Sequence, residues 1–246
     1  MSGKRGGILE PTIFALVGVA ILSGLGMWQL DRKVWKENLI AAMTERLAHK
    51  PVNLPPRDRW AHLQQEREEF ARIGFPAEFL RGEEALVYSA GSPFRPDVKG
   101  PGYWVFSPAR LAGGSLVIVN RGFVPLERKD PAGRIDGAPR GSVDVVGIIR
   151  WPETRDMFTP ADEPQNNVWY LRDVPAIAAA KKWATAAPFY IDMESPVPPG
   201  GLPLSGKLQA NLPDNHLQYA ITWFGLALAL AGVYLVWLVR RLRRHY

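Results

Sequence analysis

The chain has 246 residues, 47% of them hydrophobic, and contains no cysteine. This hydrophobic content excludes a disordered tail. The lack of cysteine excludes disulfides, a thiol nucleophile, thiolate-bound zinc and cysteine-ligated iron–sulfur clusters. The formal net charge of +6 is concentrated at the ends, because residues 240–246 contain four arginines and the long middle of the chain is almost neutral. A nucleic-acid-binding domain carries its positive charge on its folded face, so we expect no nucleic-acid partner.

Two apolar segments flank a more polar middle. Residues 11–30 and 219–239 contain no formally charged side chain. At about 1.5 Å per residue, each segment is long enough as a helix to cross the roughly 30 Å hydrocarbon core of a bilayer. We therefore predict two transmembrane helices at these positions. The alternatives are a signal peptide cleaved near Ser23–Gly24 for the first segment and a buried core helix for the second.

The charges beside the apolar segments predict an orientation. Lys4 and Arg5 precede the first segment, and the arginines of residues 240–246 follow the second. Because cytoplasmic flanks are rich in Lys and Arg, we expect residues 1–10 and 240–246 to be cytoplasmic tails. Residues 31–218 would then form an external domain. The lack of an Arg- and Ser-rich amphipathic leader favours a bacterial inner membrane, with this domain in the periplasm, over a mitochondrion.

The predicted elements of the external domain are short and mostly extended. An amphipathic pattern continues the first helix through Asp31–Lys50. Seven strands, separated by Gly, Pro and Asp turns, are predicted at Phe70–Phe75, Leu86–Ser89, Tyr103–Ser107, Ser115–Asn120, Val143–Trp151, Val168–Leu171 and Phe189–Asp192. A short helix is predicted at Val174–Trp183 and an extended linker at Pro196–Pro203. The predicted fold is a membrane protein whose two transmembrane α-helices flank an α+β, mostly antiparallel, strand-rich external domain.

The sequence contains few of the patterns that carry enzyme chemistry. Nucleophile elbows, P-loops, Rossmann glycine fingerprints and HExxH helices are all absent. His49 and His62 have no second metal ligand at helical or hairpin spacing. We therefore expect a protein that is not an enzyme and has no catalytic residues, and a periplasmic enzyme anchored by two helices remains the alternative from another class.

His216 differs from the other histidines because it lies where the external domain meets the second apolar segment. Pro213 and Asp214 precede it and suit the first turn of a helix, which places His216 near the helix N-terminus. The positive end of the helix dipole disfavours the imidazolium form. We therefore expect a neutral imidazole, which is the form that ligates iron.

The second apolar segment allows two interpretations of His216. Small residues and one aromatic ring lie within about 60° of it around the helix: Ala220, Trp223, Ala227 and Ala231. In one interpretation, His216 and Gln218 cap the helix at the interface and the alanines pack the two helices together. In the other, His216 is a haem or metal ligand at the outer leaflet. The two interpretations are compatible.

Five segments, in order along nearly the whole chain, share the pattern of a known family: Leu25–Arg32 with Lys36, Val119–Pro125, Trp169–Asp173, Pro188–Asp192 and Asn215–Gly225. On these segments the chain resembles the surfeit locus protein 1 family of cytochrome oxidase assembly factors. Two positions depart from the usual family pattern, since Asp214 replaces an asparagine and Phe123 replaces a tryptophan.

This resemblance implies a factor for maturing haem–copper terminal oxidases. Bacterial members look like haem a binders that help to deliver the cofactor to oxidase subunit I or to stabilise it there, and a haem A synthase is the expected neighbour. His216 carries over as the candidate haem ligand, and no other metal site is implied. Five more residues lie in the matching segments without an assigned role: Trp28, Gln29, Gln218, Tyr219 and Trp223.

Haem a is amphipathic, which suggests further contacts. Its farnesyl tail favours membrane lipid, and Arg32 or Arg121 would suit its propionates, because arginine pairs well with carboxylates. Arg121 has an alternative role, a hydrogen bond that holds a connection from sheet to turn, while Gly122 is expected to adopt a backbone conformation that bulky residues disfavour. A rival function is a cofactor-free membrane chaperone of subunit I.

Overall fold

The computed structural model describes residues 7–92, 94–183, 187–209 and 214–243. The chain divides into two units, a pair of terminal helices (residues 1–41 and 212–246) and a central domain (residues 42–211). The expectations for Lys4, Arg5 and Pro213, and for the last three residues of the basic tail, lie outside the described residues.

The helices and strands, in chain order, are α1 (Leu9–Ala48), β1 (Val52–Asn53), α2 (Gln65–Glu68), β2 (Arg72–Phe79), β3 (Ala85–Ser89), β4 (Gly102–Arg110), β5 (Leu116–Pro125), β6 (Ser142–Arg150), β7 (Val168–Trp169), α3 (Val174–Lys181), β8 (Tyr190–Ser195) and α4 (His216–Arg243). Short 3₁₀ segments lie at Arg57–His62, Leu126–Arg128, Pro131–Gly137, Pro164–Asn166 and Pro199–Gly201.

The two terminal helices, α1 and α4, pack against each other in antiparallel directions. The hydroxyls of Thr12 and Tyr234 lie 2.6 Å apart near one end. Nearer the other end, a Cβ atom added to Gly26 would lie 2.7 Å from the Phe224 ring. Such a close approach of backbone to side chain is typical of membrane helix pairs, which use small residues at their interface.

Both terminal helices are long and apolar enough to cross a membrane. Most of their apolar side chains point away from the partner helix and are exposed, including Phe14, Ile221 and Leu228. A 40-residue helix is roughly 60 Å long, which is about twice the thickness of a hydrocarbon core. Accordingly, the last two turns of α1 belong to the central domain, where Met43 is buried and Arg46 donates a hydrogen bond of 2.8 Å to the carbonyl of Glu69.

The strands form one mixed sheet in the order β1-β2-β6-β8-β5-β4-β3-β7. An additional antiparallel pairing between β2 and β4, with Glu78 opposite Arg110, closes five of these strands into a barrel. Three pairs are parallel, β1–β2, β3–β7 and β5–β8, and the other described pairs are antiparallel. The strand-rich central domain is thus confirmed, and its sheet is mixed because three of its eight described strand pairings are parallel and five are antiparallel.

Strand β5 is covered on both faces, which explains its nearly continuous apolar run Leu116–Val119. Val117 and Val119 contribute to one core cluster with Ile149 and Phe189. Ile118, between them, contributes to a second cluster with the helix α3. Successive side chains in a strand point to opposite faces. The next two residues of β5, Asn120 and Arg121, are therefore both buried but in different surroundings.

Each of the seven predicted strands overlaps an observed strand, but four strands, β2, β4, β5 and β8, extend at least three residues beyond their predicted ends. Strand β2 continues through Pro76 to Phe79, and β5 continues to Pro125. The predicted end of this strand at Asn120 is therefore incorrect, because the pairing of β5 with β4 continues as far as Pro125. The alternative role of Arg121, a hydrogen bond from the sheet to a turn, is confirmed by its contact with the carbonyl of Gly137 in the segment Pro131–Gly137.

The predicted extended linker at Pro196–Pro203 is also incorrect. Pro199–Gly201 forms a 3₁₀ turn, and Leu204 then forms an isolated antiparallel bridge with Phe123. Leu204, directly after this segment, exchanges two backbone hydrogen bonds of 2.7 and 3.2 Å with Phe123, so the segment leads back to the sheet of the central domain.

Candidate functional site

His216 is the first residue of α4 and contacts a side chain of α1. Its backbone N–H donates a hydrogen bond of 3.0 Å to Oδ1 of Asp214, so a carboxylate caps the helix start. Its Nδ1 lies 2.7 Å from Oε1 of Gln29. An amide oxygen can only accept, so in this arrangement Nδ1 carries a proton, and in the neutral imidazole the lone pair then lies on Nε2.

A half-buried imidazole with this hydrogen bond is suited to hold a metal through Nε2. Histidine ligands usually donate their other ring N–H to a second group, which sets the tautomer and the orientation of the ring. Among the described residues, no group of three His, Asp or Glu side chains could hold a metal ion. A metal bound by His216 would therefore have to bring further ligands of its own, as the iron of haem does.

The other predicted residues of the helix pair differ in how far their side chains are exposed. Trp28 and Tyr219 are more than half exposed, and Gln218 is also exposed. Trp223 is half-buried. Arg32 is exposed, and its guanidinium lies 4.4 Å from the centre of the Trp35 ring. The structure thus brings Gln29 and His216 into contact and leaves Arg32 one turn of α1 beyond Gln29.

Arg121 belongs to the central domain, where it is 7% exposed. It lies at a β-bulge, because Arg121 and Gly122 together face the single residue Val105 of β4. Gly122 has a φ of 129°, and a Cβ atom there would lie 2.4 Å from the backbone of Leu204. The expectation that Gly122 adopts a conformation closed to bulky residues is confirmed.

The guanidinium of Arg121 is held by few partners. One Nη2 hydrogen bond of 2.5 Å reaches the carbonyl of Gly137, and the guanidinium carbon lies 5.6 Å from the centre of the Phe79 ring. Burial lowers the pKa of Arg121 to about 10, against the opposing effect of Glu84, and the nearby Arg134 lowers it further.

A buried polar cluster lies on the opposite face of β5, and its composition was not predicted. Asn120 donates a hydrogen bond of 2.7 Å to Oδ1 of Asp192, and Arg150 contacts the other oxygen of the same carboxylate at 3.3 Å. Arg150 also donates to Glu69 at 3.2 Å. These contacts link α2's C-terminal flank with β5, β6 and β8.

Tyr190 and Arg172 complete this cluster. Tyr190 is fully buried, and burial, together with the charge of Asp192, raises its pKa to about 12. The guanidinium of Arg172 lies 5.2 Å from the centre of the Trp104 ring. Four residues of this cluster lie in segments that carry the family pattern: Asn120, Arg172, Tyr190 and Asp192. That shared pattern is the sequence signal that could have grouped them.

Comparisons with known proteins match most of the chain. The family model described as the SURF1 family matches residues 16–228. The chain belongs to the SURF1 family. Its SURF1 relatives include a SURF1-like protein of Monosiga brevicollis, 36% identical over 92% of this chain and 86% of the relative. Surfeit locus protein 1 of Rattus norvegicus is 32% identical over 93% and 76%, and that of Homo sapiens is 34% identical over 84% and 70%.

The SURF1 match spans both units of the structure. It contains Gln29 and His216 from the helix pair and Arg121 with its buried neighbours from the central domain. The family assignment therefore applies to the helices as well as to the barrel.

Proposed function

We propose that this protein is an assembly factor for haem–copper cytochrome oxidase that binds haem a and helps to insert it into oxidase subunit I or to stabilise it there. The SURF1 family, known for cytochrome oxidase assembly, supports the general role. The observation that carries the haem part is the contact of 2.7 Å between Nδ1 of His216 and Gln29, because it leaves Nε2 free to act as an iron ligand.

Different residues of the helix pair would bind different parts of haem a, which here is cargo rather than a resident cofactor. His216 would hold the iron through Nε2, and Gln29 would keep its imidazole in the required tautomer and orientation. Arg32, exposed and one turn beyond Gln29, would offer a cation to a propionate. Membrane lipid around the exposed apolar faces of α1 and α4 would accept the farnesyl tail.

The proposed location is the bacterial inner membrane, with both termini in the cytoplasm and the central domain in the periplasm. The four arginines of residues 240–246 support this orientation. A haem A synthase would be the donor of the cargo and subunit I its acceptor. Each of these partners would meet the protein at the membrane.

A cofactor-free chaperone of subunit I is the second candidate function, and one observation favours it. Ala220 and Ala227, which lie on the helix face of His216, are almost fully buried in the unit formed by α1 and α4. Part of the face that could have received a flat ligand is therefore occupied by helix packing.

The test is an absorption spectrum of the detergent-purified protein after co-expression with a source of haem A. We expect the wild type and His49→Ala, a control that removes an exposed histidine of the central domain, to show a reduced haem a band. His216→Ala is expected to insert and fold but to lose this band and to lower oxidase activity in cells.

Three other results would change the conclusion. Full haem in His216→Ala would disprove the ligand assignment. Loss of haem in both His216→Ala and His49→Ala would mean that the loss is not specific to the site. No haem in any variant, with oxidase activity still dependent on the protein, would favour the cofactor-free chaperone.

A further inference from the structure

The groove around Arg121 in the central domain has an excess of buried positive charge. Arg121 and Arg134 are 7% and 8% exposed, and Glu84, at 9%, is the buried acid beside them. Glu84 forms an ion pair with Arg134, one of whose hydrogen bonds is 3.1 Å long. All 24 acidic side chains lie in the described part of the chain, and none of them forms an ion pair with Arg121 there.

Two buried polar atoms at this place have no hydrogen-bond partner among the described residues: Nε of Arg121 and Oγ of Ser107. Ser107 lies opposite Val119 in the β4–β5 pairing, two residues from Arg121. Diagonal neighbours of this kind are within reach of a long side chain. A buried cation or hydroxyl without a partner costs free energy, so the arrangement calls for an acceptor from outside the chain.

There is room for such an acceptor, because Arg121 lines two adjoining cavities. One is an open groove of about 810 Å³, with apolar walls that include Val143, Met193 and Val197. The other, of about 480 Å³, contains Ser107 and Ile135. Val197 and Ile135 are both more than 60% exposed. These volumes fall in the range of small-molecule sites, which are mostly apolar with a few polar groups.

We propose that this groove binds an amphipathic organic acid, whose single carboxylate accepts hydrogen bonds from Nε of Arg121 and Oγ of Ser107. One negative charge balances the one excess buried cation, whereas a phosphate dianion would bring a second negative charge without a second unpaired buried cation to balance it, since Arg140, which also lines both cavities, is exposed. The apolar walls would contact the hydrocarbon part of the ligand. This inference does not depend on haem binding at His216, although a haem propionate is one source of such a carboxylate.

The test uses the full-length protein in lipid nanodiscs and hexanoate, a soluble monocarboxylate, as the probe. Binding is measured by calorimetry and by the rise in unfolding temperature, with hexanol and inorganic phosphate as comparison ligands. Hexanoate is expected to bind and to stabilise the wild type more than either comparison ligand. Arg121→Met is expected to weaken hexanoate binding at least tenfold, whereas Arg110→Gln, which removes an exposed arginine from the end of β4, is expected to leave it unchanged.

Several outcomes would overturn the proposal: equal binding of hexanol, stronger binding of phosphate, or unchanged hexanoate binding in Arg121→Met. If Arg121→Met does not fold, Ser107→Ala decides, because it removes only a hydroxyl. A threefold or greater loss of affinity in Ser107→Ala is expected, and unchanged affinity would contradict the site.

Two further arms separate this proposal from the function proposed above. His216→Ala is expected to bind hexanoate like the wild type, so the two proposals can fail independently. Haem titrated against wild type and Arg121→Met identifies the source of the carboxylate. A parallel loss of haem and hexanoate in Arg121→Met would identify a propionate, and a loss of hexanoate alone would identify a separate organic acid.

Discussion

Asn120 and Arg121 are adjacent polar residues that β5 buries on opposite faces. Asn120 has its acceptor within the chain, the carboxylate of Asp192 at 2.7 Å. Arg121 has a single hydrogen bond to a carbonyl and no counter-ion among the described residues. A buried polar group without a partner costs more free energy than a typical hydrogen bond contributes. Asn120, which has its acceptor within the chain, therefore has the properties of a stabilising residue, and Arg121 has those of a binding residue.

Gln29 and His216 provide a second comparison at this scale. A glutamine that only fills space could be replaced by an apolar residue of similar size with little effect. A glutamine that orients a metal ligand could not, since loss of such second partners typically lowers metal affinity about 10- to 100-fold.

We therefore predict that Gln29→Met weakens haem a binding about tenfold or more, but less than His216→Ala does. The measurement is a haem titration of the purified protein followed by absorption. Gln64→Met, in which an exposed glutamine of the central domain is changed, should bind haem like the wild type. Wild-type affinity in Gln29→Met would mean that the contact only joins the two helices.

The element that holds this contact is the antiparallel pair of α1 and α4. Its contacts extend from Thr12 with Tyr234, through Gly26 with Phe224, to Gln29 with His216. Since α1 and α4 contribute one residue each to the last contact, the geometry at His216 depends on the fit of the helices below it.

We predict that Gly26→Leu separates the helices, because even a Cβ atom at this position would lie 2.7 Å from the Phe224 ring. Gly24→Leu is the matched control on the same helix, since nothing lies within 4 Å of a Cβ atom there. The chain has no cysteine of its own, so cross-linking of Thr12→Cys to Tyr234→Cys by a short bifunctional thiol reagent, which spans the space of the Tyr234 ring, reports the packing. Cross-linking should be several-fold slower with Gly26→Leu and unchanged with Gly24→Leu. Equal rates in the two variants would contradict the packing.

For the whole molecule, the question is which side of the membrane each part occupies. In the proposed topology, two crossings place both ends of the chain on one side and the central domain on the other. The basic C-terminal tail predicts that both ends lie in the cytoplasm.

Single cysteines test this arrangement in intact bacterial cells. A membrane-impermeant maleimide should label Thr154→Cys in the central domain but should not label Gly7→Cys until the cells are opened; both native residues are exposed. Labelling of Gly7→Cys alone would reverse the orientation. Labelling of both in intact cells would contradict two crossings, and the absence of a Gly7→Cys signal even in opened cells would indicate cleavage of the first segment.

The sequence by itself determined the features that depend on local pattern. Two uncharged apolar segments predicted the terminal helices, and alternating or continuous apolar runs located seven of the eight strands in the described part of the chain, missing only the two-residue β1. The five matching segments predicted the family. All of these follow from neighbouring residues, whose hydrophobicity and turn preferences are set within a few positions.

Only the tertiary structure decided which distant residues meet. Strand order decides the closure of the barrel through β2 and β4 and the burial of Arg121 without a counter-ion among the described residues. Helix packing decides the hydrogen bond between Gln29 and His216, which are 187 residues apart. One apolar pattern is compatible with many such pairings, because hydrophobic burial has no direction. The choice among them is made by the close fit of particular side chains, such as Phe224 against Gly26, and by the need of each buried polar group for a partner.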